Sequence, residues 1–206
     1  MGVLKAKIVL TGGPCAGKTT TIAKIKEDLE SRGYHVLLLN ECATEVINWG
    51  IRPFGENKVS VFDFQNEILN LQMFKEKRFR DIIKKLPDDA NCIILADRGV
   101  IDNKAYLGQE LFDKLLAENN LLESDIIDEY DMVIHLVTVA TNNENKYNNS
   151  TNSARFEDNI EEVIDLDKRT NDAWSKHKNL KRVEATDVID KKIENVIKII
   201  HDYLNI

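Results

Sequence analysis

Apolar residues along this chain follow two rhythms, and their alternation predicts the fold. Short runs with little polar interruption occur at Lys7–Leu10, Val36–Leu39, Cys92–Ala96, Met132–Val137 and Leu180–Val183. Runs of this length, apolar on both faces, mark strands buried inside a parallel sheet. Between them, apolar residues recur every three or four positions, the period of a helix with one buried face. Ile22, Ile25 and Leu29 mark one such helix, which Ser31-Arg32-Gly33 ends. Val61, Phe64, Ile68, Leu71, Phe79, Ile82 and Leu86 mark a long one, whose charged run Lys75-Glu76-Lys77-Arg78 reads as solvated surface. Further helices are expected from about Asn159 to Trp174 and from Asp187 to Leu204. Strands alternating with helices in this way predict an α/β fold with a five-stranded parallel sheet and crossover helices. A chain of 206 residues with 43% apolar content can bury one good core, so residues 1–206 are expected to form a single domain.

The pattern lapses once. After the fourth strand, Thr141 to Ser153 is polar and asparagine-rich, with almost nothing to bury. It reads either as a bland insertion or as a lid that closes beside the strand ends, and function concentrates in such loops. The lid is placed at about residues 141–158.

The joint between the first strand and first helix carries the strongest chemical signal. Gly12-Gly13-Pro14-Cys15-Ala16-Gly17-Lys18-Thr19 fits G-x-x-x-x-G-K-[ST], the loop that P-loop nucleotidases fold around a triphosphate. A chain this long contains the pattern by accident about once in a hundred at ordinary residue frequencies, and the strand–loop–helix setting lowers that further. Gly12 allows a sharp turn off the strand, and Gly17 lets backbone N–H groups approach phosphate oxygens. The Lys18 ammonium can reach the β and γ phosphates and the Thr19 hydroxyl can ligate Mg²⁺, while the helix starting here points its positive end at the anion. Residues 12–19 with Thr20 form the expected nucleotide site. Pro14 occupies the middle glycine position of G-x-G-x-x-G and excludes a dinucleotide fingerprint.

Two further strand ends carry acids. The third strand runs into Asp97-Arg98, where the carboxylate can hold Mg²⁺ directly or through its waters and the guanidinium can contact an anionic substrate group. A strand-end salt bridge is the plainer alternative. Glu41 follows the second strand and is either a catalytic base or substrate clamp, or only a neighbour of the next helix's cap. Beyond the polar tract, Arg155 borders the expected lid and could stabilise charge on a transferring phosphoryl group; Arg169 lies further along. Gln65 and Gln72 carry weaker signals, compatible with solvent-facing positions, and His135 reads as a satisfied buried imidazole.

Charge narrows the partners. A formal charge of −7 argues against a broad nucleic-acid surface, so a small partner is expected. Cys15, Cys42 and Cys92 form no C-x-x-C pair, which suits a reducing cytoplasm, and no segment is long enough to insert in a membrane. Asn145-Lys146-Tyr147-Asn148 mimics a guanine-reading N-K-x-D motif but lacks its essential Asp, because an amide offers one acceptor oxygen and competing donors.

Taken together, these ordered motifs resemble the compact AAA-domain group of P-loop ATPases that includes the nicotinamide-riboside kinase domain of NadR and the TRPL translocation defect protein. Lys7–Thr20, Asn40–Val46, Ala96–Tyr106 with its Asp-Arg-Gly and Asp-x-x-Ala-Tyr segment, Tyr130–Thr138, and Asn152–Glu157 with Leu166–Trp174 carry the resemblance. The arrangement is also similar to thymidylate kinase and the deoxynucleoside kinases. That likeness implies a three-layer P-loop NTPase fold with strand order 2-3-1-4-5. It implies ATP and Mg²⁺ as cofactors, Lys18, Asp97, Glu41 and Arg155 as catalytic residues, Thr19 and Asp97 at the metal, and Glu41 and Arg98 at the substrate. The expected activity is transfer of the ATP γ-phosphoryl group to a nucleoside- or nucleotide-like acceptor. The alternative is a nucleotide-regulated binding or signalling ATPase or GTPase with no small acceptor.

Overall fold

A computed structural model describes residues 1–141, 160–186 and 188–206. Its five strands are β1 (Val3–Thr11), β2 (His35–Leu39), β3 (Asn91–Asp97), β4 (Met132–Leu136) and β5 (Leu180–Val183). All pair in parallel in the order β2-β3-β1-β4-β5, as the sequence reading expects. The helices are α1 (Lys18–Ser31), α2 (Cys42–Asn48), α3 (Val61–Ile83), α4 (Asn103–Glu118), α5 (Glu123–Asp128), α6 (Ile160–Ala173) and α7 (Ile189–Leu204). β1 starts four residues before the apolar run predicts, because Val3 and Leu4 pair with Asn91 and Cys92 even though Val3 and Lys5 face solvent.

Strand alternation divides the interior into two layers. Ile8, Leu10, Ile93, Leu95, Ile134 and Leu136 point to one face and pack with Ile22, Ile25 and Leu29 of α1 and Val196 and Ile200 of α7. Val9, Ala96 and Val133 point to the other and pack with residues of α2 to α6, including Phe64 and Phe112, and with Trp174 just after α6. A sheet covered on both faces needs apolar residues at successive strand positions, which is why the strands read as continuous runs.

The long helix α3 begins where Ser60 caps it, its Oγ accepting the Asp63 N–H at 3.0 Å. It ends at Ile83 rather than near Leu86, the chain turning there through Lys85 N–H to Ile82 O at 2.8 Å. Its charged run is not all surface. Glu76 is buried, ion-paired with the buried Lys7 of β1 and accepting from Tyr130 Oη at 2.8 Å. A helix lying across the sheet turns every fourth residue inward, and residue 76 falls on that stripe with Phe64, Ile68 and Gln72.

Candidate active site

In an open parallel sheet, a ligand crevice forms at the carboxyl ends of the strands where neighbouring connections diverge. Here β1 lies between β3 and β4, and its exit leads into the glycine loop. Gly12 has φ of 136°, and a Cβ there would stand 2.1 Å from Leu136 O, so the loop can pass β4 only as glycine. Gly17 enters α1 in the left-handed region at φ 83°. Cys15 adopts φ 56°, a conformation that costs a residue with a side chain about 1–2 kcal/mol. The Lys18 ammonium lies inside the loop, donating to Gly12 O at 3.0 Å and Gly13 O at 3.1 Å. Thr19 and Thr20 are exposed at the amino end of α1, where unbonded N–H groups favour an anion.

Three elements grip this loop from behind. Asp167 of α6 accepts the Gly13 N–H at 2.7 Å and the Thr138 N–H at 3.3 Å, while its second oxygen lies 3.3 Å from His135 Nε2. A Cβ on Gly13 would fall 2.8 Å from the Asp167 Cβ, so Gly13 is required by the approach of α6. Thr138 Oγ1 donates to Pro14 O at 2.6 Å, and the buried Lys192 of α7 donates to Ala16 O at 2.9 Å and Val137 O at 2.7 Å. Burial pushes the Lys192 ammonium down to about 8. The Asp167 carboxyl is held below the usual range: burial works against ionisation, but the His135 contact and the two N–H donors outweigh it.

The acids face the loop from the neighbouring strands. Asp97 ends β3 opposite Leu10 of β1, and its Oδ1 is buried with no hydrogen-bond partner. Burial, with Glu41 and Asp102 nearby, pushes its carboxyl up to about 6 against the pull of Lys18 and Arg98. Lys18 moves the opposite way, down to about 8, through burial and the Arg98 charge. Arg98 itself occupies the left-handed region at φ 75° with its N–H on Leu10 O at 2.9 Å, an arrangement that turns its side chain toward Glu41. Arg98 Nε donates to Glu41 Oε1 at 3.0 Å, and Nη1 stands 3.7 Å from Asp102 Oδ1. Glu41 occupies the cap position of α2, yet its side chain makes no cap hydrogen bond; Oε2 accepts from Thr44 Oγ1 at 2.7 Å. Burial works to raise its pKa, but the charges of Arg98 and Lys18 prevail and keep it below the ordinary carboxylate value.

Beside this cluster opens a small cleft with an interior of about 40 Å³. Glu41, Arg98, Asp102, Gln65, Phe64 and Tyr106 are among its lining residues. Gln65 and Gln72 are buried rather than solvent-facing, since both lie on the inward stripe of α3. The two N–H groups of Gln72 are committed to Glu76 Oε1 and Arg98 O, both at 3.1 Å, so the strained Arg98 backbone is braced from α3.

The structure thus brings together Gly12 to Thr20, Glu41, Asp97 and Arg98 at one edge of the sheet. Arg155, the tract at 142–158 and Asp187 lie outside the described residues. Arg169 is directed elsewhere, pairing with Asp165 at 2.8 Å and donating to Ala105 O at 2.7 Å, which ties α6 to α4. His135 is buried on Asp167 as a core imidazole, although its Nδ1 has no hydrogen-bond partner. Sequence reading passed over Asp167 and Lys192, and both had left a signal: a charged residue on the apolar stripe of its helix, beside Val163 and Leu166 in one case and Ile193 and Val196 in the other.

A family model described as an AAA domain matches residues 7–191. The chain belongs to that AAA domain family. This AAA domain is also 33% identical over 102 residues to the thymidylate kinase of Mycoplasma capricolum subsp. capricolum, a match that covers 49% of the chain and 47% of the relative. The aligned region therefore spans about half the length of that relative. Among solved structures, the deoxyadenosine kinase from M. mycoides with bound dATP superposes with a TM-score of 0.60 at 20% identity, covering 95% of this chain and 99% of that one. The thymidylate kinase from Ehrlichia chaffeensis gives a TM-score of 0.61 at 16% identity, covering 95% and 98%. These likenesses show that the AAA domain has the three-layer α/β fold of nucleoside and nucleotide kinases.

Proposed function

We propose that this AAA domain is a small-molecule kinase that moves the γ-phosphoryl group of ATP to a hydroxyl of a nucleoside-like acceptor bound in the cleft between α2, α3 and α4. One observation carries the reading: the Glu41–Arg98 pair lines a cleft beside the phosphate loop, setting an acid and a guanidinium where a second substrate would approach the γ-phosphate. A hydrolase or switch needs only a water there. The kinase names of the sequence relative and of both structural neighbours support the same reading.

In the proposed reaction, the loop of Gly12 to Thr20 holds the triphosphate and Lys18 neutralises it. The acceptor hydroxyl oxygen bonds to the γ-phosphorus as the bond from that phosphorus to the β–γ bridging oxygen breaks, and ADP leaves with that oxygen. Glu41, ionised and 3.0 Å from Arg98, takes the hydroxyl proton. The residues also fit Mg²⁺: Asp97 Oδ1 is buried and unpartnered, Thr19 offers an exposed hydroxyl nearby in the loop, and Mg²⁺ is commonly bound through one or two carboxylates plus substrate phosphates. Thr19 and Asp97 would hold it, and it would neutralise charge on the phosphate oxygens. Arg155 is assigned the lid arginine from sequence, acting on charge that develops during transfer.

The net charge of −7 supports a small-molecule partner over nucleic acid, and the three free cysteines support a cytoplasmic setting. Among the described residues, no helix is long and apolar enough to cross a membrane. Nicotinamide riboside, the substrate implied by the NadR likeness, belongs with the nucleosides to be tested. The test is label transfer from γ-labelled ATP to nucleosides and nucleotides. A labelled product, with ATP consumption raised at least about tenfold, or about 1.4 kcal/mol in barrier, supports the kinase. ATP hydrolysis unaffected by every acceptor overturns it.

A further inference from the structure

The charges around the cleft separate two acceptor classes, nucleosides and nucleoside monophosphates. The lining contains one guanidinium, Arg98, against two carboxylates, Glu41 and Asp102. That guanidinium is already engaged: Nε is hydrogen-bonded to Glu41 and Nη1 is within ion-pair distance of Asp102. Asp102 is fixed in turn, one oxygen accepting from Thr11 Oγ1 and the other from the Gly99 N–H at 2.7 Å. A third carboxylate, Asp97, adjoins Arg98 in the chain and couples to the same cluster. Gln65, Gln72 and Asn103 add neutral amides to the lining, and Tyr106 adds a phenol. The ammonium of Lys18 is directed to Gly12 O and Gly13 O within the phosphate loop, on the donor side. Lys75 and Lys104, on the helices that wall the cleft, are paired with Glu45 and Glu123. Among the described residues, then, each of these cations is matched by a carboxylate or committed to the loop.

A dianionic phosphate needs several donors and a net positive surround, because desolvating it beside carboxylates is costly. What the cleft offers instead is the Arg98 Nη1 amino group, which is ion-paired to Asp102 at 3.7 Å but buried without a hydrogen bond. A guanidinium N–H beside Glu41 matches a sugar hydroxyl, which can accept that bond and donate its own proton to Glu41. We propose that the acceptor is a nucleoside without a phosphate group, and that the carboxylates around Arg98 exclude nucleoside monophosphates. The inference rests on the kinase reading above and sets this chain apart from the thymidylate kinases it partly matches.

The experiment uses the full chain with MgATP and γ-labelled ATP. Ribo- and deoxynucleosides with each of the common bases, and nicotinamide riboside, are compared with their own monophosphates. The expected result is nucleoside monophosphate as the labelled product, with kcat/KM for the best nucleoside at least about 100-fold above that for its monophosphate, the scale by which a charged group beside unmatched like charges is rejected. Glu41→Gln, which removes one carboxylate from Arg98, should lower nucleoside turnover and narrow the KM ratio between the two acceptors at least about fivefold. Calorimetry on the unaltered chain gives a second reading, with the nucleoside expected to bind at least about tenfold more tightly than its monophosphate. A monophosphate used as well as or better than its nucleoside overturns this inference and leaves the kinase standing. Label in neither acceptor overturns the kinase itself.

Discussion

Asp97 and Lys18 are shifted in opposite senses by the same enclosure, and both shifts have consequences that titration can read. The Asp97 carboxyl rises from an ordinary 3.8 to about 6, so the folded chain binds a proton that the unfolded chain has lost between pH about 4 and 6. That proton favours folding in the window, and the contribution fades as pH rises through 6. On the proposed role of Asp97 at Mg²⁺, turnover has the opposite sign, since it needs the ionised form. It should fall below pH about 6, and Asp97→Asn should abolish that limb while weakening Mg²⁺-free nucleotide binding much less; equal losses in both would make Asp97 structural. Lys18, lowered to about 8, should take up a proton when triphosphate binds above that pH, so affinity weakens as pH rises through 8. Calorimetry in two buffers of different ionisation enthalpy measures the uptake, and Lys18→Ala should remove most nucleotide binding with the melting temperature nearly unchanged.

At the scale of elements, α6 connects the phosphate loop with the wall of the cleft. Asp167 holds the Gly13 N–H and Arg169 holds Ala105 O, one residue from Tyr106 in the cleft wall. Asp167→Ala leaves two buried N–H groups and His135 without their acceptor, a loss of about 1–3 kcal/mol for such groups. It should also loosen the loop, raising KM for ATP more than KM for the acceptor; equal changes in both would assign Asp167 to general stability. Because the Asp167 carboxyl is held below the usual range, its contribution is present above the ordinary carboxylate pKa and is lost as pH falls through its depressed value. Acid unfolding of the unaltered chain should therefore include this group, and that of Asp167→Asn should not.

The whole molecule is tied together by a buried polar chain running from β1 to the Arg98 turn. Lys7 pairs with Glu76, Glu76 accepts from Tyr130 and Gln72, and these hold Val100 N–H and Arg98 O respectively. Removing Glu76 leaves the buried Lys7 only its longer contact with Glu129 at 3.4 Å. Glu76→Ala should cost about 3–5 kcal/mol in denaturant unfolding, whereas Lys7→Met with Glu76→Leu should recover most of that, since an apolar pair of similar volume avoids the desolvation cost. The double variant keeps Gln72 but removes the Glu76 oxygen that holds it on Arg98 O, so acceptor KM should stay raised even where stability returns. Full recovery of both would show that the network serves stability alone.

The parallel strands, the two-sided core and the phosphate loop were determined by the sequence, because each depends on local rules: uninterrupted apolar runs, a helical period, and glycines where backbone must approach closely; the strand order followed from the likeness to the kinases. Glu41, Asp97 and Arg98 were legible as strand-end residues for the same reason. Only the tertiary structure decided what each one touches. It turned Glu41 from a helix cap to Arg98, brought Glu76 out of an apparent surface run into the core, and placed Asp167 and Lys192 behind a loop far away in the chain. Composition and periodicity say which face of a helix is inward, but not which buried polar group waits there, and that pairing depends on contacts between segments that the chain brings together only on folding.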